Sequence, residues 1–102
     1  MTDKKQHYKD TEKNILLLLG DASTFEKGFC LLVQTYQERL YWHIRAMVNL
    51  HDDTDEVLQN TFIKVYRGFK NFRKDAKLYT WLYRIATNEA LTFLKKRNKH
   101  NT

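Results

Sequence analysis

Between residues 25 and 48 the apolar side chains Phe25, Phe29, Leu32, Val33, Tyr36, Leu40, Ile44, Met47 and Val48 recur at steps of three, four and seven. That spacing puts them on one stripe of a helix and is incompatible with the two-residue alternation of a strand. The chain has no proline and three glycines, so little else interrupts a helical backbone. A chain of 102 residues forms one domain. Domains of this size bury roughly 60–70% of their unfolded surface, enough for one modest core. An all-α protein is therefore expected: a compact bundle of three main helices plus a short N-terminal helix.

The first of these is brief. Residues 1–11 are polar and expected to fray. Thr11 or Asp10 then caps a helix carrying Ile15, Leu16, Leu18 and Leu19, ended by Gly20. Ser23 or Thr24 opens the long helix. Gly28 lies inside it, at a cost of about 1 kcal/mol against alanine, and marks close packing or nothing. Cys30 reads as a small core or flank residue. The stretch Asn49-Leu50-His51-Asp52 breaks the pattern, and Asp53 with Glu56 resembles a capping box opening the next helix. Its core stripe reads Val57, Leu58, Thr61, Phe62, Val65, Tyr66 and Phe69. The opposite face reads Asp55, Glu56, Gln59, Asn60, Ile63 and Lys64, in which one isoleucine stands among polar residues. The last helix, from about Leu78 to Arg97, has the stripe Leu78, Leu82, Ile85, Ala86, Ala90, Phe93 and Leu94. A different face carries Thr80, Arg84, Thr87, Asn88, Leu91 and Lys95. Asn88 is disfavoured in mid-helix by propensity. It reads either as a donor and acceptor for a base edge or as a solvated asparagine.

Charge is unevenly placed. From Arg73 to the end there are eight basic residues and two acids, whereas the first 72 residues balance ten against ten. A basic segment gains affinity for a polyanion by releasing condensed counterions. Interleaved Phe72, Tyr79, Trp81, Tyr83 and Phe93 add platforms on which unpaired bases stack. Charge with aromatics leans toward opened or single-stranded nucleic acid. The plainer reading, a solvated helix whose basic end complements its dipole, stands beside it.

Other chemistry finds no support. There is no Gly-rich phosphate loop, and His7, His43, His51 and His100 are scattered without a second ligand at metal spacing. Cys30, the single cysteine, has no activating partner at helical spacing and no disulfide mate. The acids Asp52, Asp53, Asp55 and Glu56 are explained by a helix start. Neither an enzyme nor a cofactor is expected. The N-terminus MTDKKQHYKD is not a signal peptide, and the longest apolar run, Ile15 to Leu19, is too short for a membrane span. A soluble cytoplasmic protein with no membrane partner is the expectation.

Two stretches carry a resemblance. Asp52 to Phe62, DDTDEVLQNTF, resembles the D-x-x-D-x-V/L-x-Q-E-x-F stretch of bacterial sigma factors. Thr80 to Asn88, TWLYRIATN, resembles the hallmark of the extracytoplasmic-function subfamily. With the aromatic-basic loop Phe69 to Lys77 between them, the likeness runs from about Ile15 to Arg97. It implies region two of a sigma factor, an all-helical domain that docks on the clamp helices of the largest RNA polymerase subunit. Such a domain captures the non-template single strand of the opened promoter minus-ten element. An anti-sigma factor is a further partner that the resemblance leaves open.

Carried over by position, Glu56, Gln59 and Asn60 fall where the family contacts polymerase, with Asp55 and Ile63 beside them. Asn71, Phe72, Arg73 and Lys74 fall at the pocket for a flipped base, and Asn88 close to it. Lys77, Tyr83 and Arg84 fall along the strand or its phosphates. Trp81 reads as core or as a stacking residue at the bubble edge, with core favoured. Asn60 stands where the family usually has glutamate, which removes one charge from the docking face. The chain stops at Thr102, so the second domain with its helix-turn-helix, region four, is expected to be absent, the chain being either an excised domain or a reduced form. The basic tail Lys95 to Lys99 would then begin the inter-domain linker, and residues 98–102 are expected to be flexible. The competing expectation is a helical protein-interaction domain whose basic tail binds an acidic partner.

Overall fold

Four helices account for nearly all of the chain in a computed structural model, which describes residues 4–73 and 75–100, with side chains for 10–73 and 75–99. They are α1 (Lys4–Leu19), α2 (Phe25–Val48), α3 (His51–Gly68) and α4 (Leu78–His100), with a 3-10 turn at Phe69–Asn71. Among the described residues there is no strand. The protein is all-α. By proximity the chain divides into two units, residues 1–35 and 36–102.

In the first unit α1 is longer than expected: it begins at Lys4, because Lys, Gln and Glu in this stretch are good helix formers. Its end is as expected. The Gly20 amide donates to the carbonyls of Leu16 at 3.0 Å and Leu17 at 3.3 Å. The turn is set by Asp21, whose Oδ1 accepts the amide of Ser23 at 2.9 Å and its hydroxyl at 2.8 Å. The Ser23 amide, with its hydroxyl, holds the Asp21 carboxyl below the usual carboxylate range. The Thr24 hydroxyl then donates to the Leu18 carbonyl at 2.7 Å, tying the start of α2 to the last turn of α1. Gly28 is buried there, and it does mark close packing: a Cβ would lie 2.8 Å from Leu18 Cβ and 2.9 Å from the Leu19 backbone nitrogen. Cys30 is exposed rather than packed.

The second unit has its core on three stripes at helical spacing. Tyr36, Leu40, Ile44 and Val48 come from α2; Thr54, Val57, Thr61 and Val65 from α3; Leu78, Leu82, Ala86 and Ala90 from α4. The two buried threonines cost little, because each hydroxyl donates to the carbonyl four residues back: Thr54 to Leu50 at 2.7 Å and Thr61 to Val57 at 2.8 Å. Tyr66, expected in the core, is 41% exposed. It lies about 100° around the helix from Val65, on the far side of the stripe.

The turn into α3 also departs from expectation. Asn49 takes φ 72°, the left-handed region that asparagine tolerates better than most residues. Leu50 is then the N-cap in extended geometry, with no side-chain cap. The helix starts at His51, ahead of the expected capping box, and Asp53 instead meets Arg97 Nη1 at 3.1 Å. A second pair, Lys64 Nζ to Glu89 Oε2 at 2.9 Å, also joins α3 to α4. Each pair has one end well in solvent, which holds its contribution to about 0–1 kcal/mol. They set register more than stability.

Candidate nucleic-acid and docking faces

The loop before α4 is organised by three rings. Phe69 and Phe72 stack with centroids 5.7 Å apart, and Trp81 meets Phe72 at 5.1 Å and Phe69 edge-on at 6.3 Å. The 3-10 turn makes this possible, since the Phe72 amide donates to the Phe69 carbonyl at 2.9 Å. Both Phe72 and Trp81 are half-buried. Trp81 is thus at the rim rather than in the core, because Leu78 and Leu82 take the buried stripe of the first turns.

Asn71, Arg73 and Lys77 are exposed around this cluster; Lys74 lies outside the described residues. Along α4, Arg84 and Asn88 are exposed on the side that carries Trp81. Seven residues separate Trp81 from Asn88, two turns and about 10 Å along the axis. The Phe72–Trp81 rim and the Asn88 amide therefore lie on one exposed side of α4. Leu91, 47% exposed, continues that face.

Tyr83 stands apart from this group. It is half-buried on the flank toward α2, its ring 3.8 Å from that of His43 and 5.1 Å from that of Tyr79. His43 Nε2 lies 2.7 Å from Thr87 Oγ1. The Thr87 hydroxyl donates its one proton to the Tyr83 carbonyl at 2.9 Å, so Oγ1 accepts from His43, which must carry its proton on Nε2. Burial pushes the His43 pKa below the ordinary 6.5. The unfolded chain then binds the proton more readily than the folded one. The stability this histidine contributes is complete above about pH 6.5 and is lost as pH falls toward the lower folded value. Melting temperatures at pH 7.5 and pH 5.5 should therefore converge in His43→Gln, whose amide nitrogen can still donate to Thr87.

The second face belongs to α3. Glu56, Gln59, Asn60 and Ile63 are all exposed, on consecutive turns and opposite the stripe Thr54, Val57, Thr61 and Val65. Ile63 is 47% exposed, a large apolar side chain among polar ones. Asp55 is half-buried at the edge, held by a chain of hydrogen bonds. Arg45 Nη1 donates to the Tyr41 hydroxyl at 2.8 Å, which lies 2.6 Å from His51 Nδ1, and His51 Nε2 lies 3.2 Å from Asp55 Oδ2. With Tyr41 accepting from Arg45 and donating to Nδ1, His51 carries its proton on Nε2, facing the carboxylate. Reading the sequence missed Tyr41, Arg45 and His51 here, and His43 beside Tyr83. The spacings of four between Tyr41 and Arg45 and between His51 and Asp55 were the local signals; the pairs Tyr41–His51, His43–Thr87 and His43–Tyr83 join different helices.

Among the described residues no three His, Cys, Asp or Glu side chains could hold a metal ion, and no helix is long and apolar enough to cross a membrane.

An all-α core, an aromatic-basic rim and an acidic-apolar helix face together define a class of helical binding domain. Residues 32–100 match the sigma-70 region 2 family, and the chain belongs to that family. It is similar to an RNA polymerase sigma-H factor of Pseudomonas aeruginosa, 42% identical over 74 residues, 72% of this chain and 38% of that protein. It is 44% identical over 69 residues to the ECF RNA polymerase sigma-E factors of Haemophilus influenzae and Escherichia coli, 68% of this chain and 36% of each. The region of likeness is of the extracytoplasmic-function kind, and the matched stretch spans less than two fifths of the length of these relatives.

Proposed function

We propose that this chain acts as a sigma factor domain in transcription initiation, docking on core RNA polymerase through α3 and capturing the opened minus-ten element through the rim and α4. The observation that carries the reading is the pairing of Phe72, held half-exposed against Trp81, with Asn88 on the same face of α4. One supplies a stacking surface and the other a base-edge reader. Extruding a base from duplex DNA costs a few kcal/mol, and stacking returns roughly 1–3 kcal/mol per base. Arg73, Lys74, Lys77 and Arg84 then position the strand without reading it. Asn71 would stand beside the captured base, whereas Tyr83, turned to the α2 flank, lies off this path. No covalent step is required, so the role is binding rather than catalysis.

On the docking side, Glu56, Gln59, Asn60 and Ile63, with Asp55 at the edge, would meet the clamp helices of the largest polymerase subunit. Acids at such an interface steer encounter and fix register more than they add affinity. Ile63 supplies the apolar contact. An anti-sigma factor would compete for this same face.

The test is retention of the chain by immobilised core polymerase, beside the double substitution Gln59→Ala/Ile63→Ala. Wild-type retention that the double variant loses, with its binding to single-stranded oligonucleotides intact, is the expected result. A folded wild-type chain retained neither by core polymerase nor by isolated clamp helices would overturn the docking assignment.

A further inference from the structure

The flank of α4 facing α2 carries chemistry that the strand path along Phe72 and Asn88 leaves unused. Tyr79 and Tyr83, one turn apart on α4, have ring centroids separated by 5.1 Å. Tyr79 also reaches α2, where its ring lies 5.8 Å from that of Tyr36. Above it sits Arg39, whose guanidinium carbon is 3.8 Å from the Tyr79 ring centroid. Arg39 is exposed and Tyr79 half-buried. Burial raises the Tyr79 pKa, and the nearby Arg39 charge only partly offsets it. The ring is therefore neutral, with its electron-rich face toward the cation.

Stacking on the Tyr79 face fixes where the Arg39 guanidinium sits on this exposed flank. Stacking also restricts the side chain to few rotamers, which lowers the entropy lost when it grips a ligand. The neighbouring side chains suit one class of ligand. Thr80 and Arg84 are exposed on the adjoining ridge of α4, and Lys77 is exposed just before it. A polyanion crossing that ridge next meets the Tyr79 flank. A planar fork at that point matches the geometry of a phosphate diester.

We propose that Arg39 is a phosphate contact for the bound nucleic-acid strand, extending the interface from α4 onto α2, with Tyr79 as the platform that holds it. This rests on the strand-capture reading given above and adds to it a helix that neither sequence motif includes.

The experiment measures binding of the intact chain to a random-sequence pool of single-stranded DNA, about 15 nucleotides long, across a series of salt concentrations. Arg39→Ala should make the dependence of log K on log salt shallower by about 0.7, the value for one phosphate contact on a single strand. The loss should be equal for all sequences. Arg39→Lys should recover the slope while leaving affinity below wild type, since the charge returns without the stacked fork. Circular-dichroism melts confirm that each variant is folded, and Arg39→Gln replaces Arg39→Ala if the latter is not. An unchanged slope in a folded Arg39 variant, with Asn88→Ala still altering sequence preference, overturns this contact alone. Absence of salt-dependent single-strand binding by the wild type overturns it together with the strand-capture reading.

Discussion

Phe72→Ala weakens binding of the chain to a single-stranded minus-ten oligonucleotide by roughly 5- to 150-fold, the loss of one stacked base at about 1–3 kcal/mol. The expectation follows from how the ring is held. Phe72 is wedged between Phe69 at 5.7 Å and Trp81 at 5.1 Å, so it is oriented before any base arrives, yet it remains half-exposed. Truncation also removes two aromatic contacts, worth about 0.5–1.5 kcal/mol each, and some loss of stability will accompany it. Phe72→Leu separates the two effects. Leucine keeps most of the apolar packing but offers no ring, so it should restore the melting temperature and not the affinity. Asn88→Ala should act differently, blurring the preference between oligonucleotide sequences with a smaller loss of overall affinity. Full affinity in Phe72→Leu, measured by fluorescence anisotropy, would remove stacking from the account. Unchanged sequence preference in Asn88→Ala would remove the base-edge reader.

The helices were legible because their apolar residues repeat with a helical period and nothing in the chain interrupts it. The faces were legible for the same reason. Gln59, Asn60 and Ile63 had to lie opposite Val57, Thr61 and Val65 once a helix was granted. The pairing of Phe72 with Trp81 was not legible, because it depends on a 3-10 turn that brings back a ring nine residues earlier in sequence. His43 with Thr87 and Tyr41 with His51 depend on how one helix lies against another, and no local pattern encodes that. The start of α3 was misplaced for a related reason. Asp53 and Glu56 fit a local capping pattern, but Thr54 is fully buried and the Asp53 carboxylate meets Arg97. Tertiary packing outweighed the cap, which contributes only about 1 kcal/mol.

The two glycines on α2 and α3 should respond to alanine with opposite signs. At Gly28 the gain in helix propensity is about 1 kcal/mol, but the added Cβ would sit 2.8 Å from Leu18 Cβ and 2.9 Å from the Leu19 nitrogen. The second of these is backbone, pinned by the Thr24 hydroxyl bond to the Leu18 carbonyl at 2.7 Å, and cannot rotate aside. Overpacking of this kind costs about 1–3 kcal/mol and more where backbone must shift. Gly28→Ala is therefore expected to destabilise by a net of about 1–2 kcal/mol. At Gly68 a Cβ would meet nothing within 4 Å, and its φ of −101° suits an L residue. Gly68→Ala should stabilise by about 0.4–1 kcal/mol, through a less disordered unfolded chain. In a domain of this size each kcal/mol moves the melting temperature by roughly 4–8 °C, so both shifts are measurable by circular dichroism. A Gly28→Ala variant that melts at or above the wild-type temperature would mean that α1 and α2 do not approach each other this closely at Leu18. Gly28 would then be only a weak point in a long helix.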